Sequence, residues 1–566
     1  MSNNDGQTQL QRDLEIFANN DGTTTNTVFT KLDKTITSFG STHLRSLLSD
    51  YTDNIDELKE RQYNVLKIQS DPTLIESGLK TIHKNEANIL ELWQEITDEM
   101  QAFHDIVYFN FPFEFANQIC NRNETLLQCS NLYNIWLAPL FNVAIPLLTV
   151  IVPYTLYFVA KYILRYDIPT IPITTFVKFI FSYMLSSYIG NGIISNTKLA
   201  LVAGIIVWLA FYCINSYQSI KSSYDTHKNI NMIHSKVNSI KEVIMVADRF
   251  HSQFPDQDAK PEIDYFKELL HDEIFETEPH LLSNKGKVLL AYHLLTQEET
   301  KTRLWIVLKY LGRIDAYYSI AKLVIDDGYT FANYLTKRER PALYALSVWH
   351  PAIEKEKVVY NNVMMRDGKG GKQMITGPNK AGKSTYIKSV AVAVLLAQTL
   401  GVVNSKRMYL TPYKNINTHL HIPDKTGYES LFEAELKRAS NELRNLQSGD
   451  FTLVIMDEIL TSTNYVEGYA AAYAIAKKMA EYSNANIMIT THYTGLTKLA
   501  DEKKFRNYYF DLKQNKEGGD IKYNYRLKQG ISKQFIALEL LGKEFETEKD
   551  IIRDANRIAQ DIRSNK

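Results

Sequence analysis

Three short stretches of this chain gather the residue types that phosphate chemistry needs. The first is Gly377-Pro378-Asn379-Lys380-Ala381-Gly382-Lys383-Ser384-Thr385, with the spacing G-x-x-x-x-G-K-[ST]. In such a loop backbone N–H groups turn inward and the next helix adds its positive end, so a polyphosphate is held without strain. Lys383 is placed to reach the β- and γ-phosphates of ATP, and Ser384 to set its hydroxyl on Mg2+. The second is Asp457-Glu458, which closes the apolar run Phe451-Thr-Leu-Val-Ile-Met456. Asp457 is expected to hold Mg2+ through its water shell, and Glu458 to polarise the attacking water. One acidic residue at a strand end is common; the pair following a phosphate loop points to ATP hydrolysis. The third is Ile487-Met-Ile-Thr-Thr491-His492, where a histidine could donate to the γ-phosphate or position the water. A lone histidine is more often structural, so His492 leans on the other two.

These residues need a strand before each loop. Lys372-Gln-Met-Ile-Thr reads as a short strand, and residues 386–399, rich in Ala, Val and Leu without Pro or Gly, as a helix. The run before Asp457 is apolar throughout, as in a strand buried on both faces, and ligands sit at the C-terminal ends of such strands. From Tyr344 to about Tyr525 short β-branched runs alternate with helical patterns, an α/β texture. Residues 28–108 and 222–333 are helical in pattern; Leu44, Leu48, Ile55, Leu58 and Val65 recur at helical spacing in the first.

Composition narrows the reading. Lys+Arg and Asp+Glu are both 64, so the net charge is zero and no global basic field marks a nucleic-acid binder. Cys120, Cys129 and Cys213 form neither a paired framework nor a metal-ligand spacing, which suits a reducing compartment. The first 26 residues are polar and lack the apolar core of a signal peptide, and they read as a short disordered lead. Residues 136–160 and 199–220 carry no charge, and each is long enough to cross a hydrocarbon core of about 30 Å as a helix. Between them, residues 171–190 are apolar but contain Lys178 and read as interfacial or re-entrant. The expectation is a transmembrane hairpin.

Taken together the motifs resemble the MutS family of ATPases. Thr376-Gly-Pro-Asn-Lys-Ala-Gly-Lys-Ser-Thr-Tyr386 is similar to the family's phosphate loop. Met456-Asp-Glu-Ile459 with Thr463-Asn464 and Glu467-Gly468, Thr491-His492-Tyr493 with Leu496, and His350-Pro351 resemble its other ATPase elements. Gly530-Ile-Ser-Lys533 with Ala537 and Leu540 resembles the turn and helix near its end. Leu32-Asp33-Lys-Thr35-Ile-Thr37-Ser-Phe-Gly40 and Ile55-x-x-Leu58-x-x-Arg61-Gln62 look like its core and lever. The fold expected is an α-helical core and lever domain interrupted by a transmembrane hairpin, followed by an α/β P-loop NTPase domain of the ABC type. The expected boundaries are a polar lead at 1–24, the first half of the core and lever at 25–130, and a membrane region at 131–220. The second half of the lever follows at 221–345, the ATPase at 346–528 and a helical dimerisation segment at 529–566.

The resemblance implies ATP and Mg2+ as cofactors and a homodimer joined through the ATPase domains, with nucleotide shared across the interface. It makes the loop after Glu458 and the stretch from Gly427 and Ser430 to Glu435 the elements that meet nucleotide across the dimer. It admits DNA as a partner. The family's mismatch-reading and connector domains normally precede the lever, and only about 25 residues do so here, so a mismatch reader is not expected. Both halves of the lever must lie on one side of a membrane, which implies a multi-pass protein with both soluble parts on the cytosolic side. The competing function is a membrane tethering or remodelling ATPase with no nucleic-acid substrate.

Overall fold

A computed structural model describes residues 9–19, 21–94, 97–172, 174–176, 178–179, 198–280, 283–366, 371–420, 431–502, 504–514, 521–532 and 549–564. The chain divides into two compact units, Met1–Leu79 with Leu311–Lys566, and Lys80–Tyr310.

The first unit holds β1 (Thr330–Tyr334), β2 (Leu343–Val348), β3 (Asn361–Met365), β4 (Lys372–Thr376), β5 (Val402–Val403) and β6 (Arg407–Leu410). They are followed by β7 (Asn415–His419), β8 (Thr452–Met456), β9 (Ala485–Thr490), β10 (Arg506–Gln514) and β11 (Ile521–Gln529). One sheet runs β3-β2-β6-β1-β5 and the other β11-β10-β4-β9-β8-β7. In the second sheet β10, β4, β9, β8 and β7 are mutually parallel, and β11 closes one edge antiparallel. Every residue of β8 and β9 is buried, which is why both read as unbroken apolar runs. The helix after β4, Lys383–Thr399, is buried almost all round, as its Ala- and Val-rich sequence without a polar face requires.

Register then does the positioning. Ile375 of β4 pairs with Thr490 of β9, and Met456 of β8 with Ile489. The loop after β4, the carboxylates after β8 and the Thr491-His492 turn after β9 therefore leave one edge of the sheet side by side.

The N-terminal part belongs to the same unit. Residues 9–18, expected as a disordered lead, are packed: Leu10, Leu14 and Ile16 are buried, and Asp13 accepts hydrogen bonds from Thr418 Oγ1 (2.9 Å) and the Leu420 N–H (3.4 Å). Three apolar residues spaced along one turn and a half suffice to anchor a segment that is polar on average. Helix Ser38–Ser49 is capped by Thr37 and packs against the middle of helix Glu298–Asp326, at Gly312 and Asp315. There the buried Asp315 carboxylate accepts from the N–H groups of Ile36 (3.0 Å) and Thr37 (2.7 Å) and from Thr37 Oγ1 (2.7 Å). Gly40 sits against it so closely that an added Cβ would lie 2.5 Å from Asp315 Cγ. This contact accounts for Thr37 and Gly40 in the Asp33-Lys-Thr35-Ile-Thr37-Ser-Phe-Gly40 pattern, while Asp33 accepts from Thr35 and Ser41.

The second unit is helical and corrects the membrane expectation. Among the described residues no helix is long and apolar enough to cross a membrane. The first uncharged run is divided among a π-helical turn Tyr133–Leu137, helix Ala138–Phe158 and a second π-turn Val159–Ile163. The second run is the leading part of the 56-residue helix Lys198–Gln253. Freedom from charge overstated apolarity, because 199–220 ends in Tyr212, Asn215, Ser216, Tyr217, Gln218 and Ser219. Those polar groups bond between the two segments: Asn142 Nδ2 donates to Ser219 Oγ (3.0 Å), and the Tyr212 hydroxyl to the Val143 carbonyl (2.9 Å). The transmembrane hairpin, and with it the multi-pass placement with cytosolic soluble parts, is withdrawn. Most of the interfacial segment 171–190 lies outside the described residues.

Candidate active site

The phosphate loop turns into its helix at Gly382, whose φ of +97° lies in the left-handed region that favours glycine. A Cβ there would also meet the Tyr525 ring at 3.1 Å. Asn379, Lys380, Ala381, Gly382, Lys383, Ser384 and Thr385 line a cavity of about 750 Å3. Gly377 and Pro378 contribute through their carbonyls, which accept from Lys383 Nζ at 3.0 and 3.3 Å. That ammonium is buried, and burial lowers its pKa against the opposing pull of Glu458 and Asp457.

Opposite it stands a contact pair. His492 Nε2 lies 2.6 Å from Glu458 Oε1. A carboxylate can only accept, so Nε2 carries the hydrogen. Lys383 Nζ, 3.3 Å from the same nitrogen and 3.9 Å from Glu458 Oε1, is then a neighbouring charge and not a donor to the ring. The His492 hydrogen bond holds the Glu458 carboxyl below its ordinary range, with burial opposing and Lys383 assisting. Glu458 is therefore ionised and able to accept a proton from water. Its backbone has φ +55°, a conformation that costs a non-glycine residue on the order of 1–2 kcal/mol. Two bonds offset that cost, since its N–H donates to Thr490 O (3.1 Å) and lies 3.1 Å from Thr490 Oγ1.

Asp457 is fixed from both sides. Its N–H donates to the His419 carbonyl of β7 (2.9 Å), and its Oδ1 accepts from the Thr490 hydroxyl. One threonine thus serves both carboxylates, donating to Asp457 and accepting from the Glu458 amide. Lys383, Glu458 and His492 form one contact network, and Asp457 joins it through Thr490. Of these, Lys383 and Glu458 line the cavity. With Ser384 on the wall and Asp457 behind the strand edge, the oxygen donors suit a hydrated Mg2+, which keeps most of its waters and takes few protein ligands.

Sequence reading missed the rest of the cavity. Val348 at the end of β2, Ile353, Val358 and Val359 in the segment after it, Asn361 at the start of β3 and Tyr525 of β11 line it. Asn361 lashes the two sheets together, its Nδ2 donating to the Tyr525 carbonyl and its Oδ1 accepting from the Leu527 N–H, both at 2.9 Å. His350, noticed only as half of a His-Pro dipeptide, also lines the cavity. It is held down to about 4 by burial, with Lys388 adding to the effect, so it is a neutral group whose Nδ1 accepts from the Ala352 N–H (3.3 Å).

The elements expected to meet nucleotide across a dimer are placed in part. Ser462 donates to Glu435 Oε2 (2.8 Å), joining the loop after β8 to helix Leu431–Gln447. Gly427 and Ser430, and Lys533, Ala537 and Leu540 near the end, lie outside the described residues.

Residues 373–563 match the family model of MutS domain V. The DNA mismatch repair protein MutS of Alkaliphilus metalliredigens is 28% identical over 280 residues, covering 47% of this chain and 31% of that protein. The mismatch repair protein MSH3 of Saccharomyces cerevisiae is 28% identical over 309 residues, covering 53% and 29%. MutS of Persephonella marina is 30% identical over 274 residues, covering 46% and 30%. The chain therefore spans only about a third of the length of the curated relatives it matches. Lys383, Asp457, Glu458 and His492 all fall inside the matched stretch, and over it the chain is similar to MutS domain V.

Proposed function

We propose that this chain binds ATP with Mg2+ at the loop Gly377–Thr385 and hydrolyses it. The observation that carries the reading is the convergence of a buried Lys383, an ionised Glu458 and a hydrogen-bonded His492 at one sheet edge. Lys383 and the loop amides bind and orient the triphosphate. Ser384 and Asp457 would hold the metal, which would neutralise charge developing on the phosphates. Glu458 orients a water and takes its proton; His492 donates to the Glu458 carboxylate and fixes its rotamer. Phosphoryl transfer of this kind is positioning and electrostatics, so few groups suffice. Glu458→Gln keeps the shape and loses the base. It should bind ATP as the wild type does and turn over about 100-fold or more slowly. ATP hydrolysis at the wild-type rate in that variant sinks the assignment.

The family resemblance supports a homodimer in which the loop after β8 and Glu435 face the partner's nucleotide. The relatives' names point to DNA as the effector. The test is ATP turnover with and without duplex DNA across a salt series. Stimulation that fades as salt rises supports phosphate contacts. A rate indifferent to DNA at every salt concentration removes DNA from the reading, in keeping with a chain of zero net charge.

A further inference from the structure

A second cavity of about 780 Å3 lies in the same unit, back to back with the first. The segment from Trp349 to Asn361 is the septum between them. Val359 and Asn361 line the nucleotide cavity, Trp349, Lys355 and Tyr360 line the second, and Ile353 and Val358 line both. Aromatic rings line the second: the Trp349 ring stands edge-on to the buried Tyr329 (5.5 Å between centroids) and to the exposed Tyr360 (6.0 Å). Four lysines line it, Lys31, Lys34, Lys355 and Lys406, with three carboxylates, Asp326, Asp327 and Glu354.

Each carboxylate is already matched by a cation. Asp327 is shared by Lys355 (2.7 Å) and Lys34 (3.6 Å), Asp326 pairs with Lys322 (2.6 Å) and Glu354 with Lys357 (2.6 Å). The exposed Lys31, which also faces the already paired Glu354, and the exposed Lys406 then leave the lining with surplus positive charge. A concave site of this volume, lined by aromatic rings and by more ammonium than carboxylate groups, suits a small ligand joining a planar ring to an anionic group.

We propose that this cavity is a second ligand site, taking a nucleoside phosphate, and that its occupancy is felt in the nucleotide cavity through the shared septum. An anion at the rim would compete with Asp327 for Lys34 and Lys355. It would thereby loosen the tie between the septum and the end of helix Glu298–Asp326. The site is independent of the catalytic reading, because binding there does not need Lys383.

AMP is the probe, and calorimetry on full-length Lys383→Met measures it apart from the phosphate loop. One AMP should bind per chain, and adding Lys31→Glu and Lys406→Glu should weaken it by about tenfold or more, the scale of losing charge-assisted contacts. Both lysines are exposed and neither touches the catalytic groups, so folding and basal turnover should survive. In the otherwise wild-type protein AMP should shift the KM for ATP, and the two charge reversals should abolish that shift. No AMP binding to Lys383→Met, or binding that ignores the reversals, overturns the site. A KM shift that persists in the reversed protein overturns the coupling, since AMP would then be competing in the nucleotide cavity itself.

Discussion

Thr490 is the cheapest place to break the site without touching a reacting group. Its hydroxyl donates to Asp457 Oδ1 and lies 3.1 Å from the Glu458 N–H. Valine has the same shape and neither function. The bond to Asp457 is charge-assisted and contributes about 1.5–3 kcal/mol, while the amide contact contributes about 1 kcal/mol. Glu458 keeps its second amide partner, the Thr490 carbonyl, so the greater loss falls on Asp457. Asp457 is then free to rotate away from the metal. Partners of metal ligands are worth about 10- to 100-fold in metal affinity, which is about 1.4–2.8 kcal/mol and agrees with the hydrogen-bond figure. Thr490→Val should therefore raise the Mg2+ concentration for half-maximal ATP turnover by that factor. Saturating Mg2+ should recover most of the rate, and Thr490→Ser, which keeps the hydroxyl, should behave like the wild type. Nucleotide binding without Mg2+ serves as the control for folding. An unchanged Mg2+ titration in a folded, active Thr490→Val protein would refute the claim that Thr490 holds the metal-side carboxylate.

Two other outcomes follow from groups away from the carboxylates. Tyr525 lies across Gly382 and lines the cavity, so Tyr525→Ala should raise the KM for ATP about 2- to 12-fold, the worth of one aromatic contact, with kcat nearly unchanged; steady-state kinetics decide it. Asp315 is pushed up to about 6 by burial from an ordinary 3.8, so the folded protein binds its proton more tightly than the unfolded chain does. The stability this provides is full below pH 3.8 and lost as pH rises through about 6, a change of about 3 kcal/mol. Asp315→Asn cannot titrate, so the stability gap between wild type and variant should move against the wild type from pH 4.5 to pH 7; a gap that stays constant in urea unfolding would show that Asp315 does not titrate there.

What the sequence disclosed was what lies close together along it. Gly377, Gly382 and Lys383 fix one another's geometry within a single turn, and Asp457-Glu458 needs only the apolar run before it to be placed at a strand end. Thr490 was invisible for the opposite reason. Its role depends on β9 lying between β4 and β8, a register that no local pattern records. Tyr525 is further from the loop in sequence than any motif reaches, and it arrives by way of the antiparallel edge strand β11. The membrane expectation failed through a physical shortcut, counting charges instead of the polar groups in 199–220 that bond to the neighbouring segment. The N-terminal lead failed through averaging, because Leu10, Leu14 and Ile16 anchor a segment whose composition is polar.

The Asn361 clasp sets how nucleotide gets in and out. Its amide acts as a rung between β3 and β11, so the rim of the cavity is a closed hoop made from both sheets. Opening the hoop would break two hydrogen bonds at once, about 2 kcal/mol before any packing is lost. A swing of the half-exposed Tyr525 ring breaks neither, because Asn361 grips only the backbone of that strand; it gives up the stacking on Tyr523 (5.8 Å between centroids) instead. On the proposed nucleotide reading, exchange should then need only this one side chain to turn, on a side-chain timescale, while the walls stay in place.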